Sequence, residues 1–217
     1  MINALIFDFD GLIVDSEPLH FATEKFLIEK YGGKFTKEIF EKTLGKSVTD
    51  TLGFYKESFN LRPPLRFLVK EHDQIFIDLV DKELTIMNGV YDLLTLLKKH
   101  QIKHSIASSG KLNYIKKALK KFNLLDDFKN KITSIEMVKR GKPAPDLFLH
   151  AAQQLKENPK NCLVLEDAES GIRAALNANM YSIYVNKKPI SDNNLAHIKQ
   201  IKSLSRINIE LLNTFSS

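Results

Sequence analysis

The chain of 217 residues is long enough for one large domain or a domain with a smaller insert, and at 43% hydrophobic and 27% charged it can bury a sizeable core. Its formal charge of +6 is dispersed in pairs such as Lys98-Lys99, Lys116-Lys117 and Lys120-Lys121, with no basic run interleaved with aromatics, which argues against nucleic acid but leaves room for a small anionic ligand. The single cysteine, Cys162, allows no internal disulfide, no apolar run has membrane-spanning length, and Asp8 and Asp10 interrupt the first apolar stretch where a signal peptide would stay apolar, so a cytoplasmic protein without a membrane partner is expected.

In chain order, "ALIFDF" at residues 4–9 is the first apolar run and predicts a buried strand, which leads into Asp8, Asp10 and Gly11. Residues 16–84 then contain no convincing strand. A helical pattern over 17–31 stops at Gly32-Gly33. The paired prolines Pro63-Pro64 open another, in which Leu65, Leu68, Val69, His72, Ile75, Phe76, Leu79 and Val80 recur at helical spacing. From residue 85 onward the rhythm changes. Helical patterns at 89–100, 112–122, 145–156 and 170–178 separate the strand-like runs "IKHSIAS", "NKITSI", "CLVLED" and "YSIYV". Alternation of this kind predicts an α/β fold, a doubly wound parallel sheet with a Rossmann-like core built from residues 1–15 and 85–217. An all-helical insert of residues 16–84 interrupts it.

Open parallel sheets bind ligands beyond the carboxyl ends of their strands. The first run delivers Asp8, Asp10 and Gly11 there, the second Ser108, Ser109 and Gly110, and "CLVLED" delivers Glu166 and Asp167, while "KRGKPAPD" brings Lys142 just ahead of a helix. Several carboxylates at one edge repel one another and need a cation, and an all-oxygen set favours Mg²⁺. A serine and a lysine beside them hold an anion, and a glycine admits backbone N–H groups to it. The set reads as a magnesium-assisted phosphoryl site.

The motifs "DFDGLIVDSEPLH", "IASSG", "GKPAPDLF" and "LEDAESGIRAA" together resemble the four signature segments of the haloacid dehalogenase-like hydrolases, in the branch of beta-phosphoglucomutase and small sugar-phosphate phosphatases, whose members carry a helical cap after the first strand. The resemblance implies Asp8 as nucleophile, forming an aspartyl-phosphate, and Asp10 as general acid/base. It implies Ser108 and Lys142 as holders of the phosphoryl charge, with Gly11 and Ser109 beside them. Asp8, the backbone carbonyl of Asp10, Glu166 and Asp167 are implied as magnesium ligands. The second aspartate fits an alkoxide leaving group, which needs a proton, and argues against haloacids as substrates. Asp15 and Ser16 would begin the hinge into the cap, whose closure would exclude water.

Residues 43–52, "TLGKSVTDTL", resemble the cap loop that chooses the substrate, with Lys46 and Ser47 as candidate contacts; the alternative reading is a helix N-cap at Ser47 and a surface Lys46. Val48 stands where beta-phosphoglucomutase supplies an arginine for a second phosphate, so hydrolysis of a small phosphate ester is expected ahead of a phosphomutase reaction. A non-catalytic protein on this fold would be signalled by loss of Asp8, Asp10, Lys142 or Asp167, and all four are present. Asn179 stands where relatives have glycine and suits a left-handed helix end. The histidines at 20, 72, 100, 104, 150 and 197 show no metal-ligand spacing, and a monomer is expected.

Overall fold

The computed structural model describes residues 2–44 and 46–215. In chain order it contains β1 (Ala4–Phe7), β2 (Val14–Asp15), α1 (Glu17–Lys30), α2 (Lys37–Glu41), α3 (Val48–Ser58), α4 (Leu65–Glu83), β3 (Thr85–Ile86), α5 (Val90–Lys99), β4 (Lys103–Ser108), α6 (Leu112–Lys121), β5 (Ile132–Ser134), α7 (Asp146–Leu155), β6 (Cys162–Glu166), α8 (Glu169–Asn177), β7 (Tyr181–Val185), β8 (Lys199–Ile201) and α9 (Ile209–Asn213). The chain divides into two compact units, Met1–Asp15 with Thr85–Ser217, and Ser16–Leu84. Among the described residues no helix is long and apolar enough to cross a membrane.

The first unit is built on a six-stranded sheet of order β5-β4-β1-β6-β7-β8, with every pair parallel. From β1 the chain winds outward through β4 and β5, then returns to the other side of β1 for β6, β7 and β8. The order therefore reverses at β1 and β6, the switch point where doubly wound sheets open a ligand crevice. Both strands are buried along their whole length, as the centre of a sheet covered on two faces requires. One face packs Ala4 and Ile6 of β1 against Leu147, Phe148 and Ala151 of α7 and Ala174 and Ala175 of α8. On the other, the Phe7 ring meets Phe128 edge-on at 6.0 Å.

A two-residue antiparallel ladder joins β2 to β3, pairing Val14 with Ile86 and Asp15 with Thr85. This ladder and β8, an edge strand reading Lys199-Gln200-Ile201, lack the apolar runs from which strands are read, so they add to the predicted elements. Asn179 sits at φ +55, the left-handed conformation expected of it after α8.

The second unit is helical. Leu27 and Ile28 of α1, Phe40 of α2, Leu52 and Tyr55 of α3 and Leu68 of α4 form its core with Phe35 and Leu61. Pro64 precedes α4, and α1 ends at Tyr31 ahead of Gly32 at φ +83. Residues 43–52 are a loop only in part, because α3 begins at Val48. Ser47 is its N-cap, accepting from the Asp50 amide at 3.1 Å and donating to Asp50 Oδ2 at 2.6 Å, a Ser-x-x-Asp cap written in the sequence. Val48 packs against the core of this unit.

Candidate active site

The Asp8 amide still donates to Leu165 O of β6 at 3.0 Å, so the strand geometry of β1 runs one residue past its end. Side chains alternate along a strand, and Asp8 falls on the Ile6 side, the face covered by α7. Lys142, four residues ahead of α7, is there to meet it. Its ammonium makes ion pairs with Asp8 Oδ1 and, at 3.1 Å, with Glu166 Oε1, and lies 5.1 Å from the centre of the Phe148 ring. The Lys142, Asp8 and Glu166 side chains are 7%, 9% and 1% exposed, so the cation and both anions meet almost out of water.

The next five residues fold back. The Phe9 carbonyl accepts from the Ile13 and Val14 amides, and the Gly11 amide donates to Val14 O at 2.8 Å. Gly11 takes φ +75 in this turn, and a methyl group on it would lie 2.0 Å from Asp167 Oδ2. Glycine is required here twice, for the left-handed backbone and for the room occupied by the Asp167 carboxylate. The turn sends Asp10 toward β4 and α6, where Tyr114 Oη donates to its Oδ1 at 2.7 Å. A methyl group on Gly110 would lie 3.1 Å from Ser108 Oγ and 3.5 Å from Asp10 Oδ2, which puts those two oxygens on the same small space. The Gly110 amide donates to Ser108 Oγ at 2.9 Å. Ser108 is buried and Ser109 exposed.

Asp8, Glu166 and Asp167 each offer a carboxylate oxygen within 4.8 Å of the others. Burial raises the Asp8 pKa against the attraction of Lys142, and burial followed by the charge of Asp8 lifts Glu166 well above the carboxylate range. The same two causes push Asp167 up to about 8. Burial alone would lower Lys142, but the charges of Asp8 and then Glu166 outweigh it and hold the ammonium protonated. One ammonium therefore faces three crowded carboxylates, and Glu166 Oε2 is buried with no hydrogen-bond partner among the described residues. An all-oxygen donor set with excess negative charge and an unmet lone pair fits Mg²⁺.

The structure thus brings Asp8, Asp10, Gly11, Ser108, Lys142, Glu166 and Asp167 to one edge of one unit. Lys46 and Ser47 belong to the other unit. There the Lys46 ammonium lies 5.1 Å from the centre of the Phe54 ring, and capping α3 leaves the Ser47 hydroxyl a single free lone pair. Three further residues build the site without having been singled out. Tyr114 braces Asp10, and Asn186 Nδ2 donates to the Asp167 carbonyl at 2.9 Å. Gly171 in α8 is the third, since a methyl group on it would lie 1.6 Å from Glu166 Oε1. Of these, only Tyr114 carries a signal in the sequence, standing in the first turn of the helix that follows "SSG".

The family model described as haloacid dehalogenase-like hydrolase matches residues 5–185. The chain is 31% identical to the beta-phosphoglucomutase of Bacillus subtilis, over 97% of this chain and 94% of that protein. It is 28% identical to a phosphorylated carbohydrates phosphatase of Thermotoga maritima, over 84% of each. Among solved structures, a haloacid dehalogenase-like hydrolase of family IA, variant 3, from Entamoeba histolytica superposes with a TM-score of 0.87 at 25% identity, over the full length of both chains.

Proposed function

The chain belongs to the haloacid dehalogenase-like hydrolases, and on that premise we propose that it is a Mg²⁺-dependent phosphatase of small phosphorylated metabolites, sugar phosphates first among them. The observation that carries this reading is the Lys142 ammonium bound to both Asp8 and Glu166 at the sheet's switch point, with Asp10 and Ser108 on the same edge. Relatives named as phosphatases of phosphorylated carbohydrates and of hexitols support the substrate class.

In the proposed reaction Asp8 attacks phosphorus, forming its O–P bond as the ester P–O bond breaks. Asp10 gives its proton to the departing alkoxide. Water then attacks the phosphoaspartate and passes a proton to Asp10, which releases inorganic phosphate and restores both carboxyl groups. Lys142 and the Ser108 hydroxyl hold the charge of the transferring group, while Gly11, its own amide spent on Val14 O, leaves room for that group beside it and Ser109 offers a backbone N–H. Asp8, the Asp10 carbonyl, Glu166 and Asp167 would hold Mg²⁺, which when bound neutralises phosphoryl oxygen charge. We assign substrate choice to the helical unit, with Lys46 and the remaining lone pair of Ser47 as the candidate contacts.

A phosphomutase is the second reading, favoured by the near full-length match to beta-phosphoglucomutase. Val48, half-buried against the core of its unit, offers no cation for a second phosphate. The test is phosphate release from a panel of sugar phosphates, nucleotides and an aryl phosphate, with Mg²⁺, with a chelator, and with Asp8→Asn. Metal-dependent release that disappears in Asp8→Asn is the expected result. No release from any compound, together with bisphosphate-dependent isomerisation of a glucose phosphate, would replace hydrolysis by the mutase reaction.

A further inference from the structure

A second group of metal-competent side chains lies wholly inside the helical unit. His20 and Glu24 are one turn apart on α1 and so share a face. His72 comes from α4, 52 residues from His20 in the chain, so no short-range spacing in the sequence announces the group. The structure brings one ligand-capable atom of each of the three within 4.8 Å of the others, with His20 Nδ1 3.9 Å from Glu24 Oε1.

Two features set the cluster apart from histidines merely packed in a core. His72 is only 2% exposed, yet neither Nδ1 nor Nε2 has a hydrogen-bond partner among the described residues. The Asp73 carboxylate is 3.9 Å from its Nδ1, beyond hydrogen-bond reach. A buried imidazole with both nitrogens unmet is destabilising as it stands, and a metal ion is one way to satisfy it. The carboxylate is also oriented. Tyr55 Oη donates to Glu24 Oε2 at 2.7 Å, and Thr43 Oγ1 lies 2.8 Å from Tyr55 Oη. This hydroxyl chain fixes one carboxylate oxygen and turns the other toward His20, the kind of outer partner that holds a metal ligand in place.

We propose that His20, Glu24 and His72 form a transition-metal site in the helical unit, selective for Zn²⁺ or an ion of similar preference. Two imidazoles and a carboxylate suit zinc, which takes such ligands at about 2.0–2.2 Å in a tetrahedron whose corners lie about 3.3 Å apart. The observed separations need a modest contraction. The same set is poor for Mg²⁺, which takes oxygen ligands. The His20 side chain is 31% exposed and gives an ion a route in. Occupied, the site would cross-link α1 to α4.

The test uses the full chain, stripped with a chelator and titrated with Zn²⁺ by calorimetry. Thermal melting and the visible absorption of Co²⁺ as a stand-in are read in parallel. The Asp8→Asn/Asp167→Asn double variant removes two of the three carboxylates of the cluster in the other unit and leaves only Glu166, paired with Lys142. One Zn²⁺ should still bind it, raise its melting temperature and give the intense Co²⁺ spectrum of a tetrahedral site, whereas Mg²⁺ should give no heat there. His20→Gln and His72→Gln in that background should each weaken Zn²⁺ binding at least tenfold. His20→Gln, at the more exposed position, keeps the test open if His72→Gln fails to fold. Absence of Zn²⁺ binding to the double variant would overturn the proposal, as would affinity unchanged by the loss of His20.

Discussion

Tyr114 reaches from the first turn of α6 to place its hydroxyl 2.7 Å from Asp10 Oδ1, so the proposed proton carrier is held by a phenol from a helix it does not belong to. The phenol ring packs edge-on against Phe9 at 5.7 Å, which fixes its direction. Tyr114 is a positioning residue, and Tyr114→Phe should keep the fold while lowering kcat by about tenfold, the scale of a lost hydrogen bond to a charged group. A donor to ionised Asp10 is lost, so the limb of the pH–rate profile governed by Asp10 should move to higher pH. An unchanged profile would reduce Tyr114 to a packing residue.

Among the described residues Lys142 is the one cation paired with both Asp8 and Glu166, which makes Lys142→Met informative in two ways. Activity should fall by about 10² or more, as for loss of a group that stabilises transition-state charge. Stability near neutral pH should fall by about 3 kcal/mol, because two carboxylates are left buried without their partner. That loss should shrink as pH falls and the carboxylates take up protons. Denaturant titrations at several pH values would show it, and a pH-independent loss would mean that packing of the lysine stem dominates.

Two glycine substitutions should have opposite signs although both glycines lie in helices. Alanine is favoured over glycine in a helix by about 1 kcal/mol. At Gly53 in α3 a methyl group would meet only Leu65 Cδ2 at 3.9 Å, so Gly53→Ala should stabilise by about that amount. At Gly171 it would lie 1.6 Å from Glu166 Oε1 and 2.1 Å from its Cδ. Gly171→Ala should therefore destabilise by about 1–2 kcal/mol and weaken Mg²⁺ affinity. Thermal melting with and without Mg²⁺ decides both.

Burial pushes Glu24 up to about 7 from 4.5, against the hydrogen bond from Tyr55. His20, Tyr55 and His72 are the ionisable groups around it on α1, α3 and α4. A carboxyl group whose folded pKa is raised contributes stability that is complete below pH 4.5 and lost as pH rises through 7. In chelator-treated protein, wild type should thus lose up to about 3 kcal/mol relative to Glu24→Gln between about pH 4.5 and 8. Parallel pH–stability curves for the two proteins would contradict the assignment.

Lys46→Ala should raise KM for the best substrate of the panel by roughly tenfold with kcat little changed, as when uniform binding is removed. An unchanged KM across the panel would return Lys46 to a surface lysine resting on Phe54.

How much of this was legible in the sequence depended on where each contact partner lay. β1 and β6 are buried parallel strands announced by the unbroken apolar runs at residues 4–7 and 162–165, and β4 and β7 by shorter apolar stretches broken by serine. The polar residues after those runs point to the sheet edge because alternation and the parallel topology leave them no other direction. β8 and the β2–β3 ladder are too short and too polar to register, and α2, at five residues, is below the length at which periodicity can be read. Ser47 allowed two readings until the Asp50 amide was seen on its hydroxyl. Asn186 and the His20–Glu24–His72 group escape for a different reason. Each is completed by a neighbour distant in sequence, Asp167 for Asn186 and His72 for the pair on α1, and one chain read alone carries no signal for such pairs.

The β2–β3 ladder has a further consequence. Val14 faces Ile86 and Asp15 faces Thr85, so the chain leaves the sheet unit and re-enters it through a doorway about 5 Å wide. Any segment whose two ends meet can be hung on that doorway without disturbing a strand behind it. The 69 residues from Ser16 to Leu84 are in this sense a detachable accessory, open to transplantation between chassis. On the proposed assignment of substrate choice to this unit, exchanging the accessory at residues 15 and 85 would change substrate range while the carboxylates and Lys142 of the sheet unit are inherited intact.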